Sequence, residues 1–273
     1  MTAPSTTIAT GGLGKAMTDA LLVGWRNLKR IPRIPELALF AIIQSIMFVL
    51  LFAFVFGGAI QIPGGGDYTP FLMPGIFAQT IVFACATTAI GMTDDVNKGI
   101  IDRFRSLPMS RSAVLTGRTF SDVIYNAGIL LVLMASGFAI GWRVESLPAL
   151  VAGFLLLLFF AYGMAWLGVW LGLNVPTVEV AQQVIFTVLF PLTFVSNVFV
   201  PASTLPSWLQ PVAEWNPTST LTAALRELWG NPNPPVSTSL ASTEPLLVTI
   251  IWVIVFIAVF APLGVRRYRS MSR

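Results

Sequence analysis

Long apolar segments constrain this chain more than any other feature. A helix that crosses the hydrocarbon core of a bilayer needs about 20 mostly apolar residues. Six segments are of about that length, at about 37–60, 71–92, 119–141, 148–173, 178–200 and 246–264. Only 10% of the 273 residues are charged, whereas a soluble domain typically has about 25%. The sequence therefore predicts an all-α membrane protein with six transmembrane helices, the fourth and fifth of which form a tight hairpin.

The residue types that are missing exclude most enzyme classes. The chain has no histidine, and Cys85 is its only cysteine. Nucleophilic triads that need histidine, histidine-ligated metals and intrachain disulfides are therefore excluded. Gly14-Lys15 resembles the end of a phosphate-binding loop, but Ala9 and Ala16 stand where that motif needs glycine and Ser or Thr. We expect no catalytic residue, metal or cofactor on this chain.

The basic residues predict the orientation in the membrane, because Lys and Arg accumulate in cytoplasmic segments. Fourteen of the 16 basic residues lie before the first span, between the second and third spans, or after the sixth. Only Arg143 and Arg226 lie on the opposite side. Both termini are therefore expected in the cytoplasm. The net charge of +4 is explained by this membrane topology, and we do not interpret it as a sign of nucleic-acid binding.

The N-terminal region, residues 1–36, is predicted to hold an amphipathic helix at 19–33. Apolar residues at helical spacing stand beside cations, with Trp25 among them. Such a helix would lie on membrane lipids at the cytoplasmic interface, with its tryptophan at headgroup depth. Its expected anchors are Trp25, Arg26, Lys29 and Arg30.

A second amphipathic helix is predicted at about 94–108, in the cytosolic loop after the second span. At 100° per residue its apolar side chains share one arc, and these are Val96, Ile100, Phe104 and Leu107. Asp94 and Asp95 are expected in its first turn, where acids suit the helix dipole, and Pro108 ends it. From the pattern alone, this face could lie on lipid headgroups or fill a groove on another protein.

The stretch at about 201–232, between the last two spans, is expected outside the cell. Asn216 is a predicted N-cap, Pro217 takes the first helical position, and Gly230 follows the last turn. The apolar residues Leu221, Ala224, Leu225 and Leu228 share one face. Charged Arg226 and Glu227 argue against a seventh span, so we expect a short, half-buried external or re-entrant helix.

Ionisable residues are absent from the centres of the predicted spans. Asp122 and Glu179 lie near span ends, where an interfacial or capping role is the simpler interpretation. Neutral polar residues are more frequent and serve either to join helices or to line a path. They are Gln44, Gln79, Thr80, Asn126, Gln182, Gln183, Thr187 and Asn197.

Together these features resemble one family. The chain is similar to the membrane subunit of type-2 ABC exporters, most specifically in the stretch from Lys98 to Arg111. Further support comes from Pro206 to Pro211, Glu214 to Pro217 and Ala224 to Arg226. The similarity is strongest to the daunorubicin-resistance permease group. It covers nearly the whole chain and implies a six-helix transmembrane domain at 37–265, followed by a basic cytosolic tail at 266–273.

The resemblance implies partners and roles. A separate cytosolic ATPase subunit, which carries the ATP and Mg²⁺, would dock on the helix after the second span, so the coupling residues would be Val96, Ile100, Arg103, Phe104, Arg105 and Leu107. A second permease subunit, identical or related, would complete the path, whose candidate lining residues are Gln79, Gln182, Gln183 and Asn197. The expected function is ATP-driven export of a hydrophobic drug, antibiotic or lipid across a bacterial cell membrane.

Three other functional classes make distinct demands on the sequence. A secondary transporter driven by an ion gradient would have two similar halves and buried carboxylates, and neither pattern is seen. A membrane enzyme acting on lipid would need acid–base groups that the spans lack. A passive scaffold or immunity protein of the same shape would assemble normally without moving cargo.

Overall fold

The computed structural model describes residues 35–56, 67–101, 111–234 and 237–271. Within these ranges the chain is helical and contains no strand. A π-helical segment, Leu51–Phe56, continues α1, and a 3-10 turn, Ala202–Thr204, lies between α5 and α6. The α-helices are α1 (Pro35–Leu50), α2 (Tyr68–Asn97), α3 (Arg111–Ala139), α4 (Leu147–Asn174), α5 (Val178–Phe194), α6 (Gln210–Trp215), α7 (Pro217–Trp229), α8 (Leu240–Thr243) and α9 (Pro245–Ser270).

Four helices in the described ranges are long and apolar enough to cross a membrane. They are α2, α3 (from Val114), α4 and α9, and they correspond to the second, third, fourth and sixth predicted spans. The chain is therefore a multi-pass membrane protein. α1 and its π-helical continuation cover part of the first predicted span, and α5 has 17 residues.

α5 ends earlier than the fifth predicted span. Its helix stops at Phe194, three residues after Pro191, and residues 195–200 form bends. Two of the carbonyls at this end, those of Leu192 and Val195, accept hydrogen bonds from the Asn216 side-chain amide at 2.6 Å each. A distant side chain therefore satisfies backbone groups that a longer helix would have satisfied internally.

The predicted hairpin between the fourth and fifth spans is present. α4 ends at Asn174 and α5 begins at Val178. Thr177 is the N-cap of α5, and its side chain accepts a hydrogen bond from the Val180 amide at 3.3 Å. The polar link therefore caps the second helix and turns the chain back within a few residues.

α2 lies at the centre of the bundle, and its backbone contacts that of α4 directly. A Cβ atom built on Gly168 would come within 2.7 Å of the Cys85 carbonyl oxygen, and one on Gly172 would overlap that of Ala89. Small residues at such crossings allow helix backbones to approach closely in membranes. Cys85 itself is fully buried in this contact region.

The bundle has two ends, named here after the residues that mark them. At the Gly99 end, where α2, α4 and α9 finish and α3 starts, one cluster joins Met92, Ile101, Leu115, Trp166, Val169, Leu173 and Tyr268. At the Arg226 end, α2 and α4 start, α3 and α5 finish, and α7 is inserted between them. Basic residues of the described ranges at the Gly99 end include Lys98, Arg118, Arg266, Arg267 and Arg269, whereas Arg143 and Arg226 lie at the other end.

Candidate functional site

The Gly99 end differs from the sequence prediction in where a helix stops. Asp94 and Asp95 lie in the last turn of α2 and not in the first turn of a new helix. The helix is interrupted by a turn at Lys98 and Gly99, where Gly99 has φ +65°. Residues 100–101 are helical again. Glycine adopts this left-handed conformation without the steric cost that other residues meet. The prediction of one continuous helix from about 94 was therefore wrong at its start.

A cation explains why α2 keeps its acids in an unfavourable last turn. The Arg118 guanidinium, on α3, lies 2.8 Å from Asp95 Oδ2 and 3.3 Å from Asp122 Oδ2. The Thr88 hydroxyl donates a hydrogen bond to the same Asp122 oxygen at 2.8 Å. The side chains of this ion pair network are only 14–17% exposed. A second ion pair joins Lys98 to Asp94 at 2.7 Å, and it is more exposed than the first network.

The position of Arg118 depends on a close approach of α2. A Cβ atom built on Gly91 would overlap the Arg118 guanidinium. Next along α2, the Thr93 hydroxyl donates to the Gly172 carbonyl oxygen of α4 at 3.1 Å. The last turns of α2 are therefore tied to α3 by charge and to α4 by a buried hydrogen bond.

The predicted coupling residues are only partly within the described ranges. Val96 is half-buried and packs against the cluster at the Gly99 end, so part of its side chain is occupied within the bundle. Ile100 is half-buried, while its neighbour Ile101 is 4% exposed and belongs to that cluster. The remaining four, Arg103, Phe104, Arg105 and Leu107, lie outside the described residues. The predicted anchors Trp25, Arg26, Lys29 and Arg30 lie outside them as well.

α7 begins and ends as its sequence predicts. The Asn216 side chain caps it by accepting a hydrogen bond from the Thr218 amide at 2.8 Å, Pro217 follows, and Gly230 closes it with φ +66°. The helix is more buried than the half-buried helix expected, since every residue from Pro217 to Arg226 is buried. Thr220 and Thr222 donate their hydroxyls to backbone carbonyls within α7, which allows the polar face to be buried too.

Arg226 is the largest difference from the sequence prediction at this end. Its side chain is 1% exposed and lies 3.5 Å over the Phe71 ring. Nε and Nη2 donate to the Phe71 carbonyl at 3.0 and 2.8 Å, and Nη2 also reaches the carbonyls of Asn197 and Val198 at 2.9 and 3.4 Å. Burial lowers the pKa of the guanidinium to about 9, so it stays charged at neutral pH. One cation thus holds α2, α7 and residues 195–200 together.

An aromatic cluster packs at the same end of the bundle, close to the start of α4. Phe77, Trp142 and Trp229 pack with ring centroids 5.1–5.4 Å apart. Trp142 Nε1 donates to the Asn231 side chain at 2.9 Å, and Trp229 Nε1 donates to the Ala149 carbonyl at 3.0 Å. Both buried indoles therefore have partners, and the Arg226 end is closely packed.

The candidate path residues do not converge. Gln79 is 7% exposed inside α2, whereas Gln182 and Gln183 are exposed on α5. Asn197 lies beside a polar cleft of about 200 Å³ next to α7, which Glu214, Ser219 and Glu227 also line. Its side-chain oxygen is buried and has no hydrogen-bond partner in the part of the chain that the structure describes.

The carboxylates of the cleft have partners. Glu214 accepts hydrogen bonds from the Ser237 and Ser239 hydroxyls at 2.8 and 2.7 Å. Glu227 accepts one from the Asn233 amide at 3.2 Å. Burial and the nearby Glu244 raise the pKa of Glu227, and the Asn233 hydrogen bond partly opposes this shift.

Sequence reasoning missed both Arg118 and Arg226 as organising residues. Arg118 was counted only as a positive charge, and its partner Asp95 lies 23 positions away. Arg226 served, with Glu227, only as an argument against a seventh span. The available signal was its place next to Leu225 and three residues before Trp229, on a threonine-rich and well-capped helix.

Comparisons with known proteins agree with this architecture. The family model of the ABC-2 type transporter matches residues 18–228. The daunorubicin resistance ABC transporter permease protein DrrB1 of Streptomyces coeruleorubidus is 30% identical over 94% of this chain and 88% of its own length. The putative transport permease ycf38 of Cyanophora paradoxa is 23% identical over 89% of this chain and 85% of its own.

A further relative is the probable doxorubicin resistance ABC transporter permease protein DrrC of Mycobacterium tuberculosis. It is 24% identical over 68% of this chain and 67% of its own length. All three relatives are named as permeases, which are transport components and not enzymes. The family match and the first relative confirm the resemblance predicted from the sequence: this chain belongs to the ABC-2 type transporter family.

Proposed function

We propose that this chain is the membrane-spanning permease subunit of an ATP-driven exporter of hydrophobic or amphiphilic molecules. The observation that carries the proposal is the match to the ABC-2 type transporter family over residues 18–228. The names of the relatives from Streptomyces and Mycobacterium, which refer to daunorubicin and doxorubicin resistance, support drug-like cargo. ATP and Mg²⁺ bind a separate ATPase subunit, and this chain itself holds no cofactor.

The proposed topology has six spans with both termini in the cytoplasm of a bacterial cell. The Gly99 end is the cytoplasmic end, in agreement with its cluster of basic residues. α7 lies at the outer end as a re-entrant helix, where its Thr220, Thr222 and Arg226 side chains are hydrogen-bonded to backbone carbonyls. α1 with its continuation and α5 supply the first and fifth spans.

The ATPase docks on the cytosolic segment that follows Gly99. In this proposal Ile100, Phe104 and Leu107 fill an apolar groove, and Arg103 and Arg105 meet acids at its rim. Val96 supports the segment from inside, in keeping with its contacts in the bundle. Trp25 and the neighbouring cations anchor the N-terminal helix on lipid headgroups.

The transport path lies between two permease subunits, identical or related. The exposure of Gln182 and Gln183 on α5 suits residues that face such a path. Gln79 lies deeper in the bundle, and Asn197 lies next to the outer cleft. These four residues remain the candidates for contact with cargo.

The coupling assignment is tested by reversing the charge of Arg103 together with Phe104→Ala. The double variant is co-expressed with a candidate ABC ATPase subunit from the same genome, and both co-purification and efflux of daunorubicin are measured. We expect membrane insertion to persist while co-purification and ATP-dependent efflux are lost. Lys98→Gln is the matched control, because it removes a neighbouring positive charge from an exposed pair within α2.

Retained co-purification and efflux in the double variant would refute the docking site. A different energy source would show itself in vesicles that contain the permease alone. Efflux that a protonophore abolishes and that does not respond to ATP would favour a secondary transporter driven by an ion gradient.

A further inference from the structure

The ion pair network at the Gly99 end joins two helices at the point where the proposed ATPase docking segment leaves the bundle. Asp95 lies in the last turn of α2, only four residues before Gly99. Its partner Arg118 lies on α3 at 2.8 Å, and the chain between them runs through the docking segment. One ion pair therefore joins the helix that precedes the docking segment to the helix that follows it.

The network is built to resist separation of the helices. Its charged side chains are only 14–17% exposed, so water screens them weakly. Arg118 is shared between Asp95 on α2 and Asp122 on α3, and Thr88 returns a hydrogen bond from α2 to Asp122. Two independent links, Asp95 to Arg118 and Thr88 to Asp122, thus join α2 to α3.

The backbone next to the network forms a closed turn. Gly99 has φ +65°. Its amide donates a hydrogen bond to the Val96 carbonyl at 3.0 Å, and the Lys98 amide donates one to the Asp94 carbonyl at 2.9 Å. The Lys98 side chain lies 2.7 Å from the Asp94 carboxylate. Backbone hydrogen bonds therefore join the start of the docking segment to the last turn of α2.

We propose that Arg118 is a positioning residue that carries movement of the docking segment from α2 to α3. This inference rests on the proposed function, because it requires an ATPase to move the segment. When the segment moves, the hydrogen-bonded turn at Gly99 passes the movement to α2, and the Asp95–Arg118 ion pair and the Thr88–Asp122 hydrogen bond draw α3 with it. Without these links the two helices would respond separately.

Asp95→Ala is the informative variant, because it cuts the link between helices while Arg118 keeps Asp122 as a partner. Removal of Arg118 itself would leave two carboxylates facing each other and could prevent assembly. Thr88→Val cuts the second link and preserves shape. Lys98→Gln, which cuts an ion pair within one helix, is the control.

The measurement is amide hydrogen exchange of the purified permease–ATPase complex in nanodiscs, with and without ATP and vanadate. We expect wild type and Lys98→Gln to show ATP-dependent exchange changes in peptides covering both 92–101 and 111–121. In Asp95→Ala the change in 92–101 should persist, whereas the change in 111–121 should fall by at least half. Thr88→Val should reduce the 111–121 change as well, and it decides the question if Asp95→Ala does not assemble.

Three results would overturn the inference. An unchanged response in 111–121 in the variants would mean that the links do not transmit movement. Loss of both responses while the ATPase still co-purifies would mean that the network only maintains the docking surface. Failure of the ATPase to co-purify with wild type would refute the proposed function, and the positioning role would fall with it.

Discussion

Replacement of Arg226 tests whether one buried cation holds the Arg226 end together. Three of its hydrogen bonds to carbonyls are 3.0 Å or shorter, and two of these go to Phe71. Hydrogen bonds from a charged group contribute about 1.5–3 kcal/mol each. Desolvation of the guanidinium, which lowers its pKa to about 9, offsets a large part of that sum. We therefore expect Arg226→Met to lower the free energy of unfolding by about 3 kcal/mol.

The informative comparison is with lysine. Arg226→Lys keeps the charge and its desolvation cost, but a single ammonium cannot reproduce the planar fork or its stacking over Phe71. We expect the lysine variant to be at least as unstable as the methionine variant. Thermal unfolding of the purified protein should show midpoints roughly 6–12 °C below wild type for either change.

Arg143 supplies the matched control at the same end. It also donates to two carbonyls, those of Phe138 and Trp142, at 2.8 Å each, but its side chain is exposed. Arg143→Met should lower the free energy of unfolding by less than about 1 kcal/mol. The reasoning is refuted if Arg226→Lys is as stable as wild type, or if Arg226→Met costs no more than Arg143→Met.

Three further predictions concern backbone fit and titration. Gly153→Ala should lower the free energy of unfolding by about 2 kcal/mol, because its Cβ would overlap the Trp229 indole. Gly128→Ala should not destabilise the protein, because its Cβ would meet no atom of the described residues within 4 Å; thermal unfolding distinguishes the two variants. Gly99→Val should lower stability and ATPase co-purification because of the φ of +65° at this position. Gly99→Asn should have a milder effect, since asparagine tolerates that conformation; equal effects would contradict the need for a left-handed turn. The raised pKa of Glu227 means that the folded state binds this proton more tightly than the unfolded state. The contribution of Glu227 to stability should therefore fall as pH rises from its unfolded pKa of about 4.5 through the raised value, and Glu227→Gln should remove that dependence from the unfolding midpoints.

Local signals predicted the parts of the fold whose causes lie within a few residues. The caps of α7 were correct because Asn216, Pro217 and Gly230 act on their own helix ends. The hairpin between α4 and α5 was correct for the same reason. Four spans were found because length and apolarity are sufficient to identify them.

Features that depend on distant partners were not predictable in this way. The acids that end α2 were assigned to a new helix, because nothing near Asp95 in the sequence shows that Arg118 neutralises it. The full burial of Arg226 was not predicted, because the three carbonyls that satisfy it belong to Phe71 and residues 197–198. The position of a charged side chain in a membrane protein depends on its tertiary partners, and a single sequence does not reveal which residues come into contact.

The burial of Cys85 has a practical consequence. The only thiol of the chain is 0% exposed and lies where α2 meets α4, with its own carbonyl against Gly168. A maleimide that cannot enter this contact should leave the wild-type protein unlabelled. A cysteine introduced at an exposed position such as Asn97 or Gln182 should then react selectively in the natural background, so fluorophores or spin labels can be attached without first removing Cys85.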